Sequence, residues 1–263
     1  MSFSDFASAA CSAAWVNDFT TDQALYNGAT MNFEDTAPPQ FDALNGTETL
    51  VSISIGDNDT SYGDIVDDCL SNTAMTGTPC KDQYVTNGAN YFVGRAQTLL
   101  SDPLGAAIDE AHRRSPHAEI WVIGYPRMVP EDVSNCAGRI DISPGDAVVV
   151  NDWQKAVNNT TRATTEAHDA YYVDVFSQGD GHDACQPVAA DRWVNPKQSA
   201  TPSGWSHHPT QTGHVAVASL FIDALNSPRP VRPIKPGPGA TTPVGQTLGI
   251  AFGSKKVRPV TSP

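Results

Sequence analysis

The sequence predicts an α/β fold built on a parallel sheet with helices on both faces, and three observations carry that reading. Three short runs rich in β-branched or aromatic residues, Leu50–Ile55 (LVSISI), Glu119–Gly124 (EIWVIG) and Tyr171–Phe176 (YYVDVF), have the near-continuous apolar character of buried strands. Helix-patterned segments separate them, and strands that alternate with helices close into a parallel sheet. The chain has 263 residues with 40% apolar content, enough for one domain with a substantial core.

The helical segments follow from periodicity. Asn90–Arg114 places Phe92, Ala96, Leu99 and Leu100, then Leu104, Ile108 and Ala111, on one side, with Pro103 marking a break or a second start. Asp152–Ala170 carries Trp153, Ala156, Val157 and Ala167 on one side, and Thr212–Asn226 closes the body before Ser227-Pro228. There is no internal repeat. The domain is expected to span residues 1–226, leaving 227–263 as a Pro-rich basic tail, extended and disordered. Folds of this class place their chemistry in loops at the carboxyl ends of the strands, after Ile55, Gly124 and Phe176.

Charge and cysteines narrow the class. The formal net charge is −13, but residues Ser227 to Pro263 hold six basic residues and no acidic ones, so the first 226 residues carry −19. That body excludes nucleic acid as a partner. No apolar run reaches 18 residues, so no transmembrane segment is expected. The start, MSFSDFASAACSAAW, lacks the basic and apolar regions of a signal peptide. Of five cysteines, Cys69 and Cys80 bracket a short polar loop and are expected to pair, and Cys136 and Cys185 form a second expected pair. Cys11 is left over, either buried and reduced or with its partner outside these residues. Paired cysteines, abundant Asn, Thr, Asp and Gly, and few Lys and Arg point to a secreted, oxidised protein.

Two stretches carry candidate chemistry. Gly56-Asp57-Asn58-Asp59 follows the first strand: glycine permits a sharp turn, Asn58 can present its NH₂ into a cleft, and Asp59 can brace the loop by accepting backbone N–H bonds. Ser203-Gly-Trp-Ser-His-His-Pro-Thr-Gln-Thr-Gly-His214 precedes the last helix. There Pro209 restricts His208 to extended backbone, and Gly213 permits close packing of the helix. An imidazole on such a platform suits the general base of a serine hydrolase.

The set resembles the SGNH (GDSL-type) hydrolase superfamily, in its secreted actinobacterial-type esterase and lipase branch. Gly56-Asp57-Asn58-Asp59 resembles the third signature block and His208-Pro209, with Gly213, the fifth. Ala10-Cys11-Ser12, Gly124-Tyr125-Pro126, and Phe176 with Gly181-His182 and Cys185 are further likenesses, over residues 7 to 226. The resemblance implies a flavodoxin-like three-layer sandwich and cleavage of carboxylic esters, small or lipid, by a Ser-His mechanism with no metal and no cofactor, in a monomer. Asn58 would donate to the oxyanion and His208 would be the general base. Ala13 stands where relatives have a glycine whose N–H completes the oxyanion hole. Trp205 occupies the usual triad acid position, so its backbone carbonyl would orient His208, and His182 would shape the cleft wall with Gly56 and Asp59.

One departure dominates. No Gly-Asp-Ser occurs anywhere in the chain. Ser4 lies only seven residues before Cys11 and lacks a preceding strand, and Ser12 belongs to a different block. The nucleophile, with the first central strand of the sheet, is therefore expected upstream of Met1, and the chain as given is expected to be inactive. Two alternatives are a non-catalytic ligand-binding relative and a carbohydrate deacetylase. His207, His208, His182 and His214 do not match a common zinc spacing. Asn45, Asn58 and Asn158 each begin a glycosylation triplet.

Overall fold

The computed structural model describes residues 5–27, 32–71, 74–197 and 206–228. A 3₁₀ turn at Val16–Phe19 leads into an antiparallel hairpin of β1 (Gln23–Asn27) and β2 (Asn32–Ala37). Then come β3 (Leu50–Ile53), α1 (Tyr62–Asp64) running into a π-helical turn (Ile65–Cys69), and α2 (Pro79–Tyr84). A minimal hairpin of β4 (Val85–Thr86) and β5 (Ala89–Asn90) precedes α3 (Tyr91–Leu99) and α4 (Ser101–Arg114). The rest is β6 (Glu119–Ile123), α5 (Pro144–Ala167), β7 (Tyr171–Val173), α6 (Val175–Gln178) and α7 (Gln211–Asn226).

The central sheet is parallel, in the order β3-β6-β7, with Val51 opposite Ile120 and Val122 opposite Tyr172. Alternation along β6 divides the core. Ile120 and Val122 face α3, α4 and α5 with Trp153, Phe92 and Leu104, while Trp121 faces α7 with Val173 and Leu225. This is the three-layer α/β arrangement expected. Among the described residues β3 pairs with β6 alone, so its other edge is open where the implied sandwich has its first strand. α7, packed on Trp121 and Val173, is apolar nearly all round, yet Val215 and Ile222 stand 61% and 54% exposed.

The element boundaries moved for local reasons. The third strand ends at Val173 rather than Phe176, because the Asp174 carboxylate accepts the Ser177 N–H and caps a short helix. The break in the 90–114 segment falls at Leu100, and Pro103 sits in the first turn of α4, where a missing N–H costs nothing. The long helix begins at Pro144, eight residues before the expected start, because Ser143 caps it through the Asp146 N–H at 3.1 Å. The expected tail lies outside the described residues from residue 229 onward.

Both expected disulfides form, Cys69–Cys80 and Cys136–Cys185, and Cys11 is free. Among the described residues no helix is long and apolar enough to cross a membrane. The second bridge closes a loop of sequence separation 49, against 11 for the first. Loop-closure entropy then predicts a loss of about 4 kcal/mol for Cys136→Ala/Cys185→Ala and about 3 kcal/mol for Cys69→Ala/Cys80→Ala. Denaturant titration of the two double variants against the parent checks both the size and the order.

Candidate active site

The site is assembled from three loops at the carboxyl ends of the strands. After β3, Gly56 turns the chain at φ +122°, and a Cβ there would stand 2.7 Å from the Leu100 side chain, so glycine is required. The turn brings Asp57, Asn58 and Tyr62 to the wall of a cavity of about 280 Å³. After β6, Gly124, Tyr125 and Pro126 form a second wall, and the loop before α7 brings His207, His208 and Pro209 to a third.

Hydrogen bonds from buried groups hold each loop. Asp59, 8% exposed, accepts the Val16 N–H with both oxygens at 3.2 Å, and Asn58 Nδ2 donates to the Ala14 carbonyl at 3.0 Å. The Ala10–Val16 segment is thereby pinned to the Asn58 loop from 44 residues away. The Trp153 indole on α5 donates to the Thr60 carbonyl at 3.0 Å. Two amides on the same helix hold the second loop: Asn158 Oδ1 accepts the Tyr125 N–H at 2.9 Å, and Gln154 accepts from Met128 N at 2.8 Å while donating to Pro126 O at 3.2 Å. Asn158 is 5% exposed and so committed, which removes it as a glycan acceptor.

The base loop is held by backbone pairing. Asn195 N–H donates to His208 O at 2.8 Å, His207 N–H to Asn195 O at 3.0 Å, and Thr210 N–H to Trp193 O at 2.8 Å. Thr210 caps α7 through the Gly213 N–H, and a Cβ on Gly213 would lie 2.1 Å from the Trp193 carbonyl oxygen. His207 adopts φ +63°, the left-handed geometry that turns the chain so that His208 follows. The ring of His208 meets Tyr62 edge-on, centroids 5.7 Å apart, and Tyr62 donates its hydroxyl to His207 O at 3.2 Å. His208 Nδ1 lies 2.9 Å from the Ser206 carbonyl oxygen. That acceptor fixes the Nδ1–H tautomer and leaves Nε2 as the basic nitrogen.

Asn58 and His208, separated by 150 residues, thus line one cavity. Ala13 has φ +59°, the conformation glycine adopts freely, but it is exposed and outside the cavity lining. Gly56 and Asp59 shape the Asn58 loop from beneath. Trp205 and Ser4 lie outside the described residues. His182 departs from its expected place in the cleft wall: it is outside the lining, stacked on Trp193 at 4.4 Å with Nδ1 against Asp191 O. The sequence reading missed Tyr62 and Gln154 as cavity residues, and it quoted Tyr125 in the Gly124-Tyr125-Pro126 likeness without giving it a role. Buried amides on an apolar helix face were the one available signal for Gln154.

A profile of the GDSL-like lipase/acylhydrolase family matches residues 3–216. The chain belongs to that family. Lipase 2 of Streptomyces coelicolor is 30% identical over 223 residues, spanning 82% of this chain and 69% of that protein. An esterase of Streptomyces scabiei is 27% identical over 248 residues, spanning 83% and 70%. Among solved structures, a phospholipase A1 from Streptomyces albidoflavus and an extracellular lipase from Streptomyces rimosus each superpose with a TM-score of 0.59 at 23% identity. They cover 82% and 80% of this chain, and 77% of each of theirs, and share its fold. By family this GDSL-type chain is an ester hydrolase of the esterase/lipase kind.

Electrostatics separates the paired histidines of the GDSL-type site. Burial, then the neighbouring His208 and Lys197, push the pKa of His207 down to about 4, so it stays neutral. Burial pushes Asp59 up to about 6, against the backbone hydrogen bonds that favour its charge. His207, protonated more readily when unfolded, stabilises the fold above pH 6.5, and that contribution is lost as pH falls to about 4, roughly 3 kcal/mol in all. Asp59 acts in the opposite sense, its contribution fading as pH rises from 3.8 to about 6. Urea midpoints between pH 4 and 7 for the parent and His207→Asn, which tolerates the left-handed backbone, isolate the histidine: the variant's stability should fall less toward acid. The backbone at Ala13 predicts that Ala13→Gly is neutral or stabilising by up to about 1 kcal/mol, whereas Ala13→Val lowers the denaturation midpoint.

Proposed function

We propose that the cavity binds a carboxylic ester with its carbonyl oxygen toward Asn58 Nδ2, and that His208 is the general base. The observation that carries this reading is the meeting of Asn58 and His208 at one cavity. In the reaction, a serine Oγ gives its proton to His208 Nε2 as it attacks the ester carbonyl. The Ser206 carbonyl accepts Nδ1–H of the resulting imidazolium, and the backbone carbonyl of Trp205 is the other candidate for that role. His208 then returns the proton to the departing alkoxide, and water repeats the sequence on the acyl-serine. A neutral carbonyl selects the tautomer but stabilises the imidazolium less than a carboxylate would.

The serine belongs to a segment other than these 263 residues, which contain no Gly-Asp-Ser, and the open edge of β3 beside the Asn58 loop is where that strand would pair. The chain as given does not turn over. Disulfides and lipase or esterase relatives favour an extracellular monomer acting on small or lipid esters.

Hydrolysis of p-nitrophenyl butyrate by the chain as given, and by the chain with a Gly-Asp-Ser strand joined ahead of residue 1, tests the proposal. The first is expected at background and the second to turn over. In the extended protein, His208→Ala should reduce kcat by about 10⁶ and Asn58→Ala by about 10²–10³. Turnover of the chain as given that disappears in Ser4→Ala or Ser12→Ala would overturn the missing nucleophile. A stably folded extended protein with no turnover would favour a non-catalytic relative, and turnover confined to acetylated sugars a deacetylase.

A further inference from the structure

The charge inside the cavity is unbalanced. Asp57 is the one carboxylate in its lining, and neither lysine nor arginine joins it. Among the described residues its carboxyl group makes no hydrogen bond and no ion pair, although the Asp57 backbone carbonyl accepts from Thr60 and Tyr62 N–H. Asp57 is half-buried, so its carboxyl gives up part of its hydration without gaining a partner from the described residues. The nearest charge, Asp59, has the same sign and is turned toward Val16. Burial, and then Asp59, push the Asp57 pKa well above its ordinary value, and a cation placed beside it would restore the carboxylate.

The other cavity groups define what would complete it. The tyrosines Tyr62 and Tyr125 line the same space. The Tyr62 hydroxyl is already committed to His207 O, which leaves its ring as the surface it offers. His207 is held neutral and so does not repel a cation. Carboxylate with tyrosine faces is a combination that receives an organic ammonium, by ion pairing on one side and cation–π attraction on the other. The cavity of about 280 Å³ is near the lower end of small-molecule sites, about 300 Å³, and suits a compact head group.

We propose that Asp57 is a specificity-determining residue and that the cavity takes esters carrying an ammonium group close to the scissile bond. This rests on the reading of the cavity as the ester site, but its test needs no turnover. Choline and 3,3-dimethylbutan-1-ol share a shape and differ in charge. Titrated by NMR into the 263-residue chain at constant ionic strength, choline should bind about tenfold more tightly than the neutral alcohol, a difference of about 1.4 kcal/mol. Both should perturb the resonances of Tyr62 and Tyr125. Asp57→Asn should abolish the preference while leaving binding of the neutral alcohol unchanged, and Asp57→Glu should retain it if the asparagine variant does not fold. Equal binding of the two ligands, a preference that survives Asp57→Asn, or perturbations elsewhere on the surface would each overturn the proposal. A choline preference without ester turnover in the extended protein would leave Asp57 standing and remove the catalytic reading. Turnover without the preference would do the reverse.

Discussion

Everything at this site depends on a short stretch of backbone pairing. The position of His208 is set by the hydrogen bonds between Trp193–Asn195 and His207–Thr210 and by the carbonyl of Ser206. That pairing continues straight into α7, because Thr210 both joins it and caps the helix, and Gly213 lets the helix start within contact of the Trp193 carbonyl. The far side of the same segment is tied down by the Cys136–Cys185 bridge and by Asp183, which accepts the Cys185 N–H. A base held by main-chain groups is oriented without a buried negative charge. It is also less able to stabilise the imidazolium it must become.

The opposite walls use polar side chains where a helix would ordinarily bury apolar ones. Asn151, Gln154 and Asn158 lie along the inner face of α5, and each spends its amide on the loop that follows β6. Each buried amide is matched to a backbone group that has left the sheet and has no other partner. Trp153 does the same for the loop after β3. One helix therefore braces two of the three loops, which couples cavity shape to the packing of the core.

How much of this was legible depended on range. The alternation of strand and helix segments, the Cys69–Cys80 loop, the Gly56 turn and the His208-Pro209 platform are written in nearby residues, and the parallel sheet with helices on both faces follows from the alternation. Asn58 could be read as a cleft residue from its strand-end glycine taken together with the His208-Pro209 stretch. Tyr62 and Gln154 could not, since their sequence contexts are those of ordinary helix and loop. His182 was read as a cleft residue from the family resemblance, and the stacking partner that holds it, Trp193, lies 11 residues away across a loop.

By itself the sequence determined the period of each segment, the glycines that only a turn can explain, and the absence of a Gly-Asp-Ser, because each of these is a property of adjacent residues. Tertiary structure alone decided which polar groups meet. It brought Asn58 and His208 to one cavity, held His207 neutral beside its neighbour and, among the described residues, left the Asp57 carboxyl facing no countercharge and one edge of β3 open. The reason is physical: desolvation and hydrogen-bond partnership depend on distances across the fold, and no local pattern of residues encodes them.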